Sequence, residues 1–231
     1  EDPRRQRQMC IRDRARAQFQ DTYAHYMQNY QSQIRLMIKM QFQIGVARRI
    51  CETIGTLNMP SVSEKLGQMA AQAAMVEGLV YGMESGGGYY NGYYVPDRNL
   101  MYTAQVLTQQ LYPEFITSMR EIAGGGLIML PSSVKDFENP EIARYIHATQ
   151  NSAVGTSEEK VKFMKLAWDA IGSEFASRHT QYEMFYAGAQ FVTRGHALRT
   201  YDWNRSKILV DDILNSYNLE DMFEKKNVAA E

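Results

Sequence analysis

TSEEKVKFMKLAWDAIGSEFASRHTQYEMFY, residues 156–186, carries the longest unbroken helical period in the chain. Val161, Met164, Trp168, Ile171, Phe175, Arg178, Tyr182 and Phe185 recur at alternating steps of three and four, which sets all eight along one side of a helix. Seven of them are large and apolar or aromatic, so that side predicts a packed face. Arg178 falls on the same side. An unpaired charge there would be costly, and the pattern therefore demands a partner for its guanidinium. Thr156 with Glu159 spells a capping box, Glu158 adds negative charge at the positive end of the helix dipole, and Gly188 offers a stop. These residues predict the central helix of an all-α domain with a polar feature at one end.

Upstream, the spacing predicts one long helix from about Gln18 to Ile54, apolar nearly all round in its middle and stopped by Gly55. Such a helix calls for cover beyond a single bundle. A second helix begins near Pro60, with Ser61 and Glu64 as a capping box, and runs through Val62, Leu66, Met69, Ala73, Val76, Val80 and Met83 to about Glu84. Its alanines and Gly78 permit close helix contact. SGGGYYNGYYVPD, residues 85–97, reads as a loop or hairpin. It lacks the GxGxxG spacing and preceding strand of a phosphate-binding loop, and its tyrosines suit packing over a bundle end or subunit boundary. Asn99 to Ala123 predicts a third helix, kinked or split at Pro113 and ended by Gly124, Gly125 and Gly126. A short helix follows from Asn139 to Gln150, on which His147 reads as a surface residue. Downstream of the central stretch, residues 188–205 read as irregular, and Trp203 to Tyr217 as a last amphipathic helix.

Composition narrows the function. The 231 residues include 45% hydrophobic side chains, ample for a core, and the formal charge is -1 at pH 7. Without a Lys/Arg block near the functional-looking segments, nothing there marks a nucleic-acid or anionic-lipid partner. No run of about 18 apolar residues exists to span a membrane and no signal sequence is visible, so the chain reads as cytoplasmic. Cys10 and Cys51 are too few for a disulfide framework or metal site. Through Arg16 the head carries six arginines against Glu1, Asp2 and Asp13. Its string RRQRQMCIRDR resembles a translated sequencing adapter, with a disordered basic arm as the other reading. The organisation expected is a non-native or disordered head at 1–16, a helical bundle at 17–217 and a fraying polar tail at 218–231.

KLAWDAIGSEFASRHTQYEMFYAG (165–188), followed by FVTRGH (191–196) and RTYDW (199–203), resembles the C-terminal region of the 4-hydroxyphenylacetate 3-monooxygenase oxygenase family. AGGGLIMLPSS (123–133) and NYQSQIRLMIK (29–39) resemble it in the same order. The resemblance implies an antiparallel all-α bundle similar to the C-terminal domain of acyl-CoA dehydrogenases, assembled as a homo-oligomer, a tetramer or dimer. It also implies ortho-hydroxylation of a phenol with FAD, used as FADH2 and delivered by a separate NAD(P)H flavin reductase. That chemistry must be enclosed from water.

By position, the family's flavin-contacting loop matches Gly188, Ala189, Gln190 and Phe191. Gly188 and Phe191 fit its pattern, whereas Ala189 and Gln190 replace an Asp and a Pro, so backbone contacts transfer better than side-chain ones. Arg178 and His179 match the family's Arg followed by His or Gln, and Arg178 has two readings, a partner of a flavin phosphate or of a carboxylate such as Glu174 or Asp169. His179 reads as a structural hydrogen-bonding residue, and His196 and Arg199 as weaker candidates. The family's catalytic and phenol-binding residues belong to upstream domains, so none is assigned in this chain and the 231 residues alone are expected to be inactive. Two alternatives stand beside this. A 4-hydroxybutyryl-CoA dehydratase-like flavoprotein needs an iron–sulfur cluster on three Cys and one His, and His25 has no nearby Cys. The other is a non-catalytic helical assembly domain.

Overall fold

The computed structural model describes residues 3–217 and is an all-α bundle. Its centre is three long helices, α2 (Tyr23–Ile54), α3 (Pro60–Ser85) and α4 (Arg98–Ala123), each packed on the other two. Helix α3 runs antiparallel to α2, the start of α2 meeting its end through Tyr30 and Glu84, whereas the starts of α2 and α4 meet at His25 and Tyr102. Leu36, Met40, Ile50, Met69, Val76, Phe115 and Met119 fill the shared core. Two strands, β1 (Gly88–Tyr90) and β2 (Tyr93–Val95), form an antiparallel hairpin over one end. Asn91 and Gly92 both take positive φ in its turn, the geometry that matches strand twist. The Tyr90 hydroxyl donates to Asp21 O at 2.9 Å and the Tyr23 hydroxyl to Asn91 O at 2.8 Å, which ties the hairpin to the start of α2.

The stretch from Gln18 to Ile54 is not one helix. It is divided at Asp21–Thr22 between α1 (Pro3–Gln20) and α2, because Thr22 turns extended and its Oγ1 caps Ala24 N–H. Residues 4–15 of α1 are exposed on every side. Gly55 ends α2 at φ 79°, as expected. The Ser61–Glu64 capping box does not form, since Pro60 occupies the first turn and Met59 is the cap, without a side-chain bond. Pro113 does not split α4. Its missing N–H costs the bond to Gln109 O, yet Leu111, Tyr112, Phe115 and Ile116 are buried around it and hold the helix continuous.

Two 3-10 turns and α5 (Pro140–Thr149) connect α4 to the second half. The expected single helix over 156–186 is two, α6 (Ser157–Ile171) and α7 (Glu174–Phe185). Thr156 and Glu159 make the predicted capping box. At the break, Gly172 ends α6 and Ser173 restarts the chain, its Oγ accepting from Ala176 N–H at 3.2 Å. The apolar spacing persists through a capped corner, which is why periodicity alone missed it. Residues expected to be irregular after Gly188 form α8 (Gln190–Thr200), packed on α4 through buried Thr193. Helix α9 (Trp203–Asn215) follows and buries none of its side chains. The tail 218–231 lies outside the described residues. Among those described, no helix is long and apolar enough to cross a membrane.

Candidate functional site

Helix α7 packs on α4, and it and the turn that follows it are bonded to α2 through side chains, by polar groups rather than by the apolar side expected from the sequence. Phe175 is 64% exposed and Tyr182 and Phe185 about half so, since the corner at Gly172 redirects the helix. What enters the interior instead is Glu183, 1% exposed. Arg35 grips it with two nitrogens, at 2.6 and 3.1 Å, and Lys39 Nζ lies 2.5 Å away. Lys39 also reaches His179 Nδ1 at 2.9 Å, the structural bond expected of that histidine. Burial pulls the Lys39 ammonium below its ordinary value, against the opposing pull of Glu183. Burial, then the charge of Lys39, also lowers His179. Tyr112 and Tyr186 border this group, and burial pushes both phenols up to about 12. Both phenols stay neutral at any physiological pH, and the Tyr186 hydroxyl accepts from Gln33 Nε2.

Arg178 lies outside this cluster. Its guanidinium bonds Glu174 at 2.7 and 3.0 Å, one turn back, with both side chains nearly four-fifths exposed. The demand for an interior partner is therefore overturned: the residue is on the surface, paired along its own helix. Of the two carboxylates considered for it, Glu174 is the one it bonds.

The chain turns at Gly188, φ 102°. Its N–H donates to Phe185 O at 2.9 Å, and its carbonyl accepts from Gln109 Nε2 at 2.8 Å. The same nitrogen donates to Met184 O at 2.9 Å, and Gln109 Oε1 accepts from Thr193 Oγ1 at 2.9 Å. Ala189 caps α8 without a side-chain bond, so the N–H groups of Gln190 and Phe191 open the helix unclaimed by any cap. Space above Gly188 is clear, since an added Cβ meets nothing within 4 Å. Phe191 is 78% exposed. Gly188, Ala189 and Gln190, each partly buried, thus lead to exposed Phe191 as one edge, whose available donors belong to the start of α8 and not to the glycine.

A second polar group sits at the hairpin end. The His25 ring bonds the Tyr102 hydroxyl, and His196 stacks on Tyr102 with centroids 4.8 Å apart. Burial, then the charges of Arg98 and His196, pushes His25 down to about 4. Arg199 lies 3.0 Å from His196 Nδ1. His196 and Arg199 therefore belong with His25. Sequence reading missed this group and Gln109, although polar residues at core-phase positions of α4, namely Gln105, Thr108 and Gln109, were an available signal. Cys51 is buried and Cys10 exposed, both free, and no three His, Cys, Asp or Glu side chains among the described residues gather as a metal site.

Comparison with known proteins gives this geometry a context. The family described as "HpaB: 4-hydroxyphenylacetate 3-hydroxylase C terminal" matches residues 15–215. The chain is 34% identical over 167 residues to the 4-hydroxyphenylacetate 3-monooxygenase oxygenase component of Pseudomonas aeruginosa, covering 71% of this chain and 32% of that protein. It is 32% identical over 194 residues to the component of the same name from Escherichia coli, covering 81% and 37%. The chain thus spans about a third of the length of these relatives. A crystal structure of the oxygenase component of 4-hydroxyphenylacetate 3-monooxygenase complexed with FAD and 4-hydroxyphenylacetate superposes with a TM-score of 0.81 at 26% identity, over 86% of this chain and 42% of that one. An archaeal 4-hydroxybutyryl-CoA dehydratase from N. maritimus shares the fold, with a TM-score of 0.69 at 20% identity over 78% and 36%. The chain belongs to the 4-hydroxyphenylacetate 3-hydroxylase family and corresponds to its C-terminal part.

Proposed function

We propose that this chain is the C-terminal helical part of an oxygenase component that ortho-hydroxylates a phenol such as 4-hydroxyphenylacetate, working in the cytoplasm. Reduced FAD comes from a separate NAD(P)H flavin reductase. The observation carrying this reading is the superposition of the bundle on a relative solved with both FAD and 4-hydroxyphenylacetate. When bound, the flavin supplies the oxygen activation. The edge at Gly188–Phe191 fits such a group: Gln190 and Phe191 offer uncapped N–H donors, Phe191 an exposed ring to cover a flat one, and Gly188 leaves room for close approach. Arg178, on the surface and paired only along its own helix, remains available to an anionic portion.

The exposed apolar residues of α9, with Leu209 62% and Ile213 57% exposed, favour a homo-oligomer, a tetramer or dimer. The test is to express the full-length gene product with a flavin reductase, NADH and FAD and to measure catechol from 4-hydroxyphenylacetate and other phenols. Turnover is expected from the full-length protein and none from the 231 residues alone. Catechol formed by the 231-residue chain overturns the partial-enzyme reading, and a full-length protein that neither binds nor is stabilised by FAD overturns the flavin reading.

A further inference from the structure

Gln109 is 1% exposed and lies midway along α4, where an apolar residue would serve packing better. All three of its hydrogen bonds end on one feature. Two run from Nε2, to Met184 O in the last turn of α7 and to Gly188 O in the corner, and the third joins Oε1 to Thr193 Oγ1 in the first turn of α8. The amide orientation is dictated by those partners, because a flipped group would set its oxygen against two carbonyls. Thr193, 0% exposed, shares its one hydroxyl proton between Gln109 Oε1 and Gln190 O, 3.0 Å away, which sets the amide beside the first residue of α8. One side chain thus fixes the end of one helix, the corner, and the start of the next.

We propose that Gln109 is the positioning residue that holds the Gly188–Phe191 edge in the form that receives reduced flavin. This rests on the reading of that edge given under Proposed function. Gln109 itself is buried beneath the turn and acts through where the Gln190 and Phe191 N–H groups point. A small displacement of those donors weakens each bond they make to an anion or ring carbonyl. A residue that only stabilises the bundle would instead change the fraction of folded enzyme.

The two roles separate kinetically. In the full-length protein with its reductase, Gln109→Leu removes all three bonds at similar volume, Thr193→Val removes one, and Thr193→Ser keeps it. Dissociation constants for reduced FAD are measured anaerobically, with thermal melting of each flavin-free protein alongside. Gln109→Leu is expected to weaken reduced FAD about tenfold or more and to raise its KM, with kcat at saturating flavin within about twofold of wild type. Thr193→Val is expected to weaken it several-fold and Thr193→Ser to restore it; this pair decides the matter if Gln109→Leu does not fold. Unchanged flavin affinity in Thr193→Val and Gln109→Leu, with kcat falling in step with the folded fraction, overturns the positioning role. A wild-type protein that binds no flavin overturns the underlying site reading as well, and is distinguished by the wild-type measurement alone.

Discussion

Glu183 and Arg178 stand five residues apart on one helix in opposite electrostatic settings. Glu183 is buried between Arg35 and Lys39, so Glu183→Gln strands two cations in a half-dry site. We expect a loss of about 2–3 kcal/mol in urea unfolding, below the full value for a sealed pair because Arg35 keeps about a third of its side chain in water. Arg178→Ala removes an exposed pair one turn apart and should change stability by no more than about 0.5 kcal/mol. His25 adds a pH dependence. Its folded value of about 4 lies below the ordinary 6.5, so the unfolded chain takes up the proton first as pH falls. The stability it contributes is complete above 6.5 and drains away towards 4, by at most about 3 kcal/mol. The groups around it are Tyr102 and Arg98 on α4, Asn29 on α2, and His196 on α8. Urea midpoints should fall between pH 7 and pH 5, and His25→Gln should flatten that fall; an equal fall in the variant would locate the effect elsewhere.

The corner between α6 and α7 shows what a helical period hides. Ile171 and Phe175 keep the spacing of a continuous helix, but Gly172 and Ser173 between them supply a stop and a cap. Ser173→Ala should cost about 1 kcal/mol through the freed Ala176 N–H, measured as a shift in melting or urea midpoint. Gly172→Ala should cost more, because its new Cβ would lie 2.5 Å from the Trp168 ring. The long core helices were legible because burial repeats every three or four residues: Met69, Ala73, Val76, Val80 and Met83 are all buried as their spacing required. So was the Thr156 cap. Helix α8 was not, since it rests on the bundle through Thr193, His196 and Ala197 and carries no apolar stripe for a periodicity to detect. At the candidate site, the letters marked Gly188–Phe191, while the groups that fasten this corner come from α4 and α2, 75 to 153 residues away, where no local pattern points to them.

As a whole, the chain leaves much apolar surface unspent. Besides α9, a cavity of about 710 Å³ opens between α2 and α6, floored by Phe42, Val46, Phe163 and Leu166 and rimmed by Arg49 and Lys162. Surface of this kind should make the isolated 231 residues associate with rising concentration, which sedimentation over a hundredfold range would register; a constant monomer mass would contradict it. Helix α2 carries His25 near its start, Arg35 and Lys39 in its middle, and the cavity wall beyond. Its 32 residues extend about 48 Å without interruption. It is a ruler with its marks cut into one rod. Dropping a single residue between Lys39 and Val46 would wind every later mark round by about 100° and slide it about 1.5 Å, so the stations can tolerate substitution one at a time but not a change of count.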